Sequence, residues 1–81
     1  MGDGDDYVTV PVRVMAIRPD SIHVRRGAVS AWLPRSTIHG ADDNLLRAMR
    51  AGEEMKLRIF RWKAAQAGLL FRETLQRNLF G

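Results

Sequence analysis

In "YVTVPVRVM", which starts at Tyr7, valine recurs at every second position. Val8, Val10, Val12 and Val14 fall on one side; Tyr7, Thr9, Arg13 and Met15 fall on the other. Side chains alternate between the two faces of an extended strand, so this pattern specifies a strand with one apolar and one solvated face. A helix would scatter the same valines around its circumference. The chain must therefore supply more strands beside this one, and something to cover the valines. Pro11 has no N–H to give to a ladder, which predicts an edge strand or a bulge at that point.

The next segments meet that need. "RPDS", Arg18 to Ser21, reads as a tight turn in which Pro19 pre-sets φ. A second strand follows, with Ile22 and Val24 inward and His23 and Arg25 outward. "RRG" turns at Gly27, and a third strand from Ala28 to Leu33 stops at Pro34. Short strands joined by tight turns make an antiparallel meander the economical topology. Asp42 or Asp43 can then cap a short helix with Leu45, Leu46 and Met49 as its buried positions. Arg47 and Arg50 lie near its C-terminal end, where cations favour the helix dipole, and Gly52 is placed to stop it. "EEMKLRIF" returns to period two, with Met55, Leu57 and Ile59 inward. Ala64, Ala65 and Ala67 favour a helical turn that Gly68 closes or interrupts. Phe71, Leu75 and Leu79 recur every four residues, one stripe of a helix; a fifth strand is the alternative for this tail. The expected fold is α+β: a small antiparallel sheet or partly open barrel of four or five strands, curled around one short α-helix.

Eighty-one residues make one domain. A chain of this length buries only about 60–65% of the surface it would expose unfolded, so its core is small. Cysteine is absent, which excludes disulfides, a thiolate nucleophile and cysteine-ligated zinc and suits a reducing cytoplasm. The longest apolar run is far short of the roughly 20 residues that span a bilayer, so no membrane role is expected. "MGDGDD", residues 1–6, reads as a disordered acidic tail ahead of a single domain at 7–81.

Chemistry finds little purchase. Ser21, Ser30 and Ser36 accompany His23 and His39, but no nucleophile pattern links any pair of them. His23, His39 and the Asp42/Asp43 pair lack a recognised metal-ligand spacing, and no glycine-rich phosphate loop precedes a helix. The expectation is a binding protein without enzymatic activity, metal or cofactor, acting as a monomer or small homo-oligomer.

Charge points to what is bound. The net charge is +4, and eleven of the thirteen cations are arginine, whose planar fork suits phosphate and carboxylate. "KLRIFRWKA", Lys56 to Ala64, interleaves Lys56, Arg58, Arg61 and Lys63 with Phe60 and Trp62. If it stays extended to Trp62, then Lys56, Arg58, Phe60 and Trp62 share one face, to which neighbouring strands add Arg13 and Arg25. Cations that follow a backbone beside rings that stack on bases are the means of holding single-stranded DNA or RNA. The competing arrangement turns Phe60 or Trp62 inward as a plug and packs Trp32 under the following turn, leaving the arginines as protection of a sheet edge. The acids form an opposite pole: Asp42 and Asp43 at one end of the helix, Glu53 and Glu54 at the other, with Asp3, Asp5 and Asp6 in the tail. Such a patch would suit a basic protein surface.

"VSAWLPRSTI" (Val29 to Ile38) and "LRIFRWKAAQAGL" (Leu57 to Leu69) together resemble small proteins common in phages and prophages. Those carry Trp, a hydrophobic residue, Pro, a basic residue and Ser, and then a second block with Trp, Ala and Gly-Leu. Trp32, Pro34, Ser36, Trp62, Ala65, Gly68 and Leu69 match. This chain has Phe60 and Lys63 where relatives often have Pro and Leu, and a longer insert at 41–52. The resemblance implies a stoichiometric inhibitor of host defence, of the kind that includes anti-CRISPR proteins. Its partner would be a host nucleic-acid-handling complex, such as a CRISPR effector. The surface used would be either the acidic side (Asp42, Asp43, Glu53, Glu54) or the basic-aromatic side (Arg13, Arg25, Lys56, Arg58, Phe60, Trp62).

Overall fold

Four antiparallel strands form one open sheet in the order β3-β2-β1-β4. The computed structural model describes residues 6–70; the C-terminal stripe of Phe71, Leu75 and Leu79 and most of the acidic tail lie outside them. The strands are β1 (Tyr7–Ile17), β2 (Ser21–Arg26), β3 (Val29–Pro34) and β4 (Glu54–Phe60). Among the described residues two short helices accompany the sheet, α1 (Asp43–Ala48) and α2 (Arg61–Gln66), with a 3-10 turn at Arg35–Thr37. This is the small α+β domain that the alternating pattern predicts, and the helical turn expected around Ala64 and Ala65 is the second described helix.

The valine side of β1 is the core. Val10, Val12 and Val14 are buried together with Ile22 and Val24 of β2, Leu33 of β3 and Leu57 and Ile59 of β4. Ala64 of α2 and the buried Leu69 close over this layer, joined by Ile38 and Met49. Each of the Val, Leu, Ile and Met side chains contributes about 1.5–3 kcal/mol by leaving water. A bulge between Val14 and Ala16 leaves Met15 exposed and brings Ala16 opposite His23 on the outer face.

Pro11 sits in a strand that is central in the sheet order, contrary to the edge position its missing donor predicts, and the bulge lies further along. The ladder pairings explain why it is tolerated. β1 pairs with β4 from Tyr7 to Arg13, but with β2 only from Arg13 to Ile17. The Val14 amide donates to the Glu53 carbonyl, towards β4. With period two, the nitrogen of Pro11 therefore faces the opposite side, where β2 has already turned away at Gly27. The strand is internal as a whole and an edge at Pro11.

The helices begin and end for identifiable reasons. The Asp42 carboxylate accepts the Leu45 amide at 2.9 Å, so Asp42, not Asp43, caps α1. The helix is shorter than its sequence suggests. It stops at Ala48; Leu45 and Leu46 are only half-buried, and Met49, the expected third core position, is buried from the C-cap in extended conformation. Arg50 lies beyond the helix and donates from one guanidinium nitrogen to the carbonyls of Arg47 and Met49. Gly52, at φ 92°, turns the chain into β4 instead of stopping the helix. At the end of α2, Gly68 donates to the Ala65 carbonyl and Leu69 to the Ala64 carbonyl, with Gly68 at φ 78°. That is a Schellman stop, which needs glycine at the left-handed position and an apolar residue after it.

Two further contacts hold the domain together. Ile38 forms an isolated antiparallel bridge to Ile59, so the chain leaving β3 reaches across to the far edge strand. Arg35 is the second clamp. Its guanidinium donates to the carbonyls of Ala41 (2.6 Å) and Pro19 (3.1 Å) and pairs with Asp43 (2.7 Å). It thereby ties the β1–β2 turn to the start of α1. Asp6, which the sequence places in the tail, accepts from Arg61 through both its carbonyl and its carboxylate.

Candidate nucleic-acid interface

The face of the sheet opposite the core carries Tyr7, Thr9, Pro11 and Arg13 from β1, His23 and Arg25 from β2, Ser30 and Trp32 from β3, and Glu54, Lys56, Arg58 and Phe60 from β4. Neither described helix packs over it: the buried Ala64 of α2, and Leu45 and Leu46 of α1, all lie against the core cluster on the other side. Register brings the predicted cations together. Arg13 stands opposite Arg25 on one side and Glu54 on the other; Lys56 is opposite Pro11, and Arg58 opposite Thr9. All four cations are exposed.

Where β2 turns away at Gly27, the sheet opens into a cleft of about 530 Å³ lined in part by Arg13, Arg25, Arg26 and Lys56. Its carboxylate is Glu54, 2.7 Å from the Arg13 guanidinium. Arg13 also donates to the Gly52 carbonyl, and Arg25 to that of Gly27 at 2.8 Å. Arg13 is thus held through both terminal guanidinium nitrogens and Arg25 through its Nε, and both side chains remain exposed. Lys56 makes no hydrogen bond or ion pair among the described residues.

At the N-terminal end of β1 the rings gather. Tyr7 stacks on Phe60, with centroids 4.6 Å apart and planes 15° from parallel, and His39 meets Tyr7 edge-on at 4.8 Å. The Arg58 guanidinium lies 5.5 Å from the Tyr7 centroid. Trp62 does not continue the strand, because the chain turns into α2 after Phe60. Its indole nevertheless lies near-parallel to Phe60 at 6.1 Å and is 53% exposed. Neither ring is an inward plug: Phe60 is half-buried on the outer face and Trp62 is open to solvent. The helical turn that displaces Trp62 from the ladder keeps it beside its predicted partner. Trp32 is likewise not packed under the turn; it is 42% exposed on the outer face. Tyr7 and His39 were missed by the reading of the sequence. The period placed Tyr7 outward, but its partner across the sheet could be named only once the register was known.

The four predicted acids do not behave as one surface. Asp42 caps α1, Asp43 pairs with Arg35, and a Glu53 carboxylate oxygen accepts the Arg50 amide at 3.3 Å. Glu54 lies on the cationic face and pairs with Arg13. Each carboxylate thus has a local intramolecular role. His23 and His39 are each engaged with a ring, and no group of three or more metal-ligating side chains comes together among the described residues. No described helix is long and apolar enough to cross a membrane.

No protein-family model matches the chain, and neither does any curated protein or solved structure. The residues of the two sequence blocks, Val29–Ile38 and Leu57–Leu69, can nevertheless be read physically. Arg35 is the three-way clamp, and Gly68-Leu69 is the helix stop. Trp32 and Trp62 are different: both are large, both are exposed, and neither fills the core. An exposed indole gains little for folding, so it is the informative part of each block.

Proposed function

We propose that the protein binds single-stranded nucleic acid along the outer face of its sheet, with little dependence on base sequence. The observation that carries this reading is the row of Arg25, Arg13, Lys56 and Arg58 running into the Tyr7–Phe60–Trp62 stack on one face that neither described helix covers. The guanidinium and ammonium groups neutralise consecutive phosphates. Bases splayed from the backbone stack on the exposed indole of Trp62, which the Tyr7–Phe60 pair backs, each contributing about 1–3 kcal/mol. An open antiparallel sheet suits this task because strand spacing of about 4.8 Å sets out cations and rings on a rigid grid.

The inhibitor role implied by the resemblance is best served by the same face, because the acids are engaged within the chain. A host nucleic-acid-handling complex would then be blocked through the single strand it exposes. Fluorescence anisotropy of a labelled oligonucleotide at low salt tests the reading. Binding that Lys56→Ala with Arg58→Ala weakens at least tenfold is expected; no binding by the wild-type chain, or equal binding by the double variant, overturns it.

A further inference from the structure

Trp32, His23 and Arg18 form a second assembly of rings and charge at the other end of β1. The His23 imidazole stacks on the Trp32 indole, 4.8 Å between centroids and 14° from parallel, and the exposed Arg18 guanidinium lies 4.8 Å from the same indole. His23 and Trp32 are direct cross-strand partners, and Ala16 opposite His23 leaves the space beside them low. The Arg18 side chain lies over this indole, which is nevertheless 42% exposed.

We propose that Trp32 is a second base-stacking platform, so that the ligand is one strand long enough to reach from Trp62 and Phe60 to Trp32. This rests on the nucleic-acid reading above and names the ligand more closely. A base takes the place of the Arg18 guanidinium on the indole, with His23 supporting the indole from within the sheet, and Arg18 is released to a phosphate. Between the two platforms lie Arg58, Lys56, Arg13 and Arg25, which follow the backbone diagonally from β4 to β2. From Tyr7 to Ala16 the strand rises roughly 30 Å. At a stacked rise of about 3.4 Å that distance takes about nine nucleotides, and a splayed strand needs fewer. This lies within the about 4–16 nucleotides seen for single-strand grooves of small domains.

The test uses oligothymidylates of about three and about twelve nucleotides. Trp62→Phe leaves Trp32 as the sole indole, so its emission reports on this end alone. The long strand is expected to quench Trp32 and to bind at least about tenfold more tightly than the short one. Trp32→Ala should remove most of that advantage while changing the short strand's affinity no more than about twofold, and Trp32→Phe should restore it in part. If the long strand binds tightly, leaves Trp32 emission unchanged and is held equally by Trp32→Ala, the second platform is refuted and the nucleic-acid reading survives. If neither strand binds at low salt, both fall together.

Discussion

Arg13 and Arg25 face each other directly across β1 and β2 on the solvent side of the sheet. Like charges in that position repel, at a cost of about 0.2–1 kcal/mol. Glu54 relieves the repulsion from one side, 2.7 Å from Arg13, but that pair is well exposed and contributes at most about 1 kcal/mol. The fold therefore keeps two guanidinium groups together against their own preference. Arg25→Thr should raise the unfolding free energy measured in urea slightly at low ionic strength, by about 0.5 kcal/mol, while weakening oligonucleotide binding. A variant that lost both stability and binding would show that Arg25 is structural.

Salt separates phosphate contacts from stacking. Each phosphate neutralised on a single strand adds about −0.7 to the slope of log K against log salt. Contacts from Arg13, Arg25, Lys56 and Arg58 should give a slope of about −2 to −3, and Lys56→Ala should flatten it by about 0.7. Trp62→Ala should lower affinity at every salt concentration and leave the slope alone.

Glu54→Gln distinguishes the two charged surfaces. Removing the carboxylate frees Arg13 and takes a negative charge off the cationic face, so oligonucleotide affinity should rise several-fold at low salt, as read by anisotropy. Contact with a basic partner through the acids predicts the reverse, a weaker complex.

Arg35 should resist conservative exchange. Lysine carries charge but has no planar fork to meet Ala41, Pro19 and Asp43 together. Arg35→Lys should cost about 1–3 kcal/mol in chemical denaturation, a large share of the stability of so small a domain.

Gly68→Ala should cost about 1–2 kcal/mol for forcing a Cβ into the left-handed region. The added methyl itself meets the Val29 side chain at 3.5 Å, an ordinary contact, so the penalty is one of backbone and not of packing.

Much of the sheet was legible because burial on one face writes itself as period two: Val10, Val12, Val14, Leu57 and Ile59 are inward as their spacing requires. The Gly68 stop was legible for a similar local reason. Three things were not. The order of the strands decides whether Pro11 is tolerated, and no local pattern encodes where β2 ends relative to β1. The length of α1 depends on Met49 leaving the helix to fill the core, a tertiary demand that overrides spacing. The ring partners Tyr7–Phe60 and His23–Trp32 follow from register, which the sequence constrains only to within the choice of turn. The cations of the site could be named in advance; the ring pairs at either end of them could not.

The strand pairings of β1 with β4 and with β2 share one position, Arg13. On either side of it the sheet is two leaves on a common spine, each carrying its own aromatic end. The angle between those leaves, and with it the reach from one indole to the other, is governed by the coiling of β1 around this residue and the bulge that follows it. A change there would retune the span of the whole face without touching a single ring.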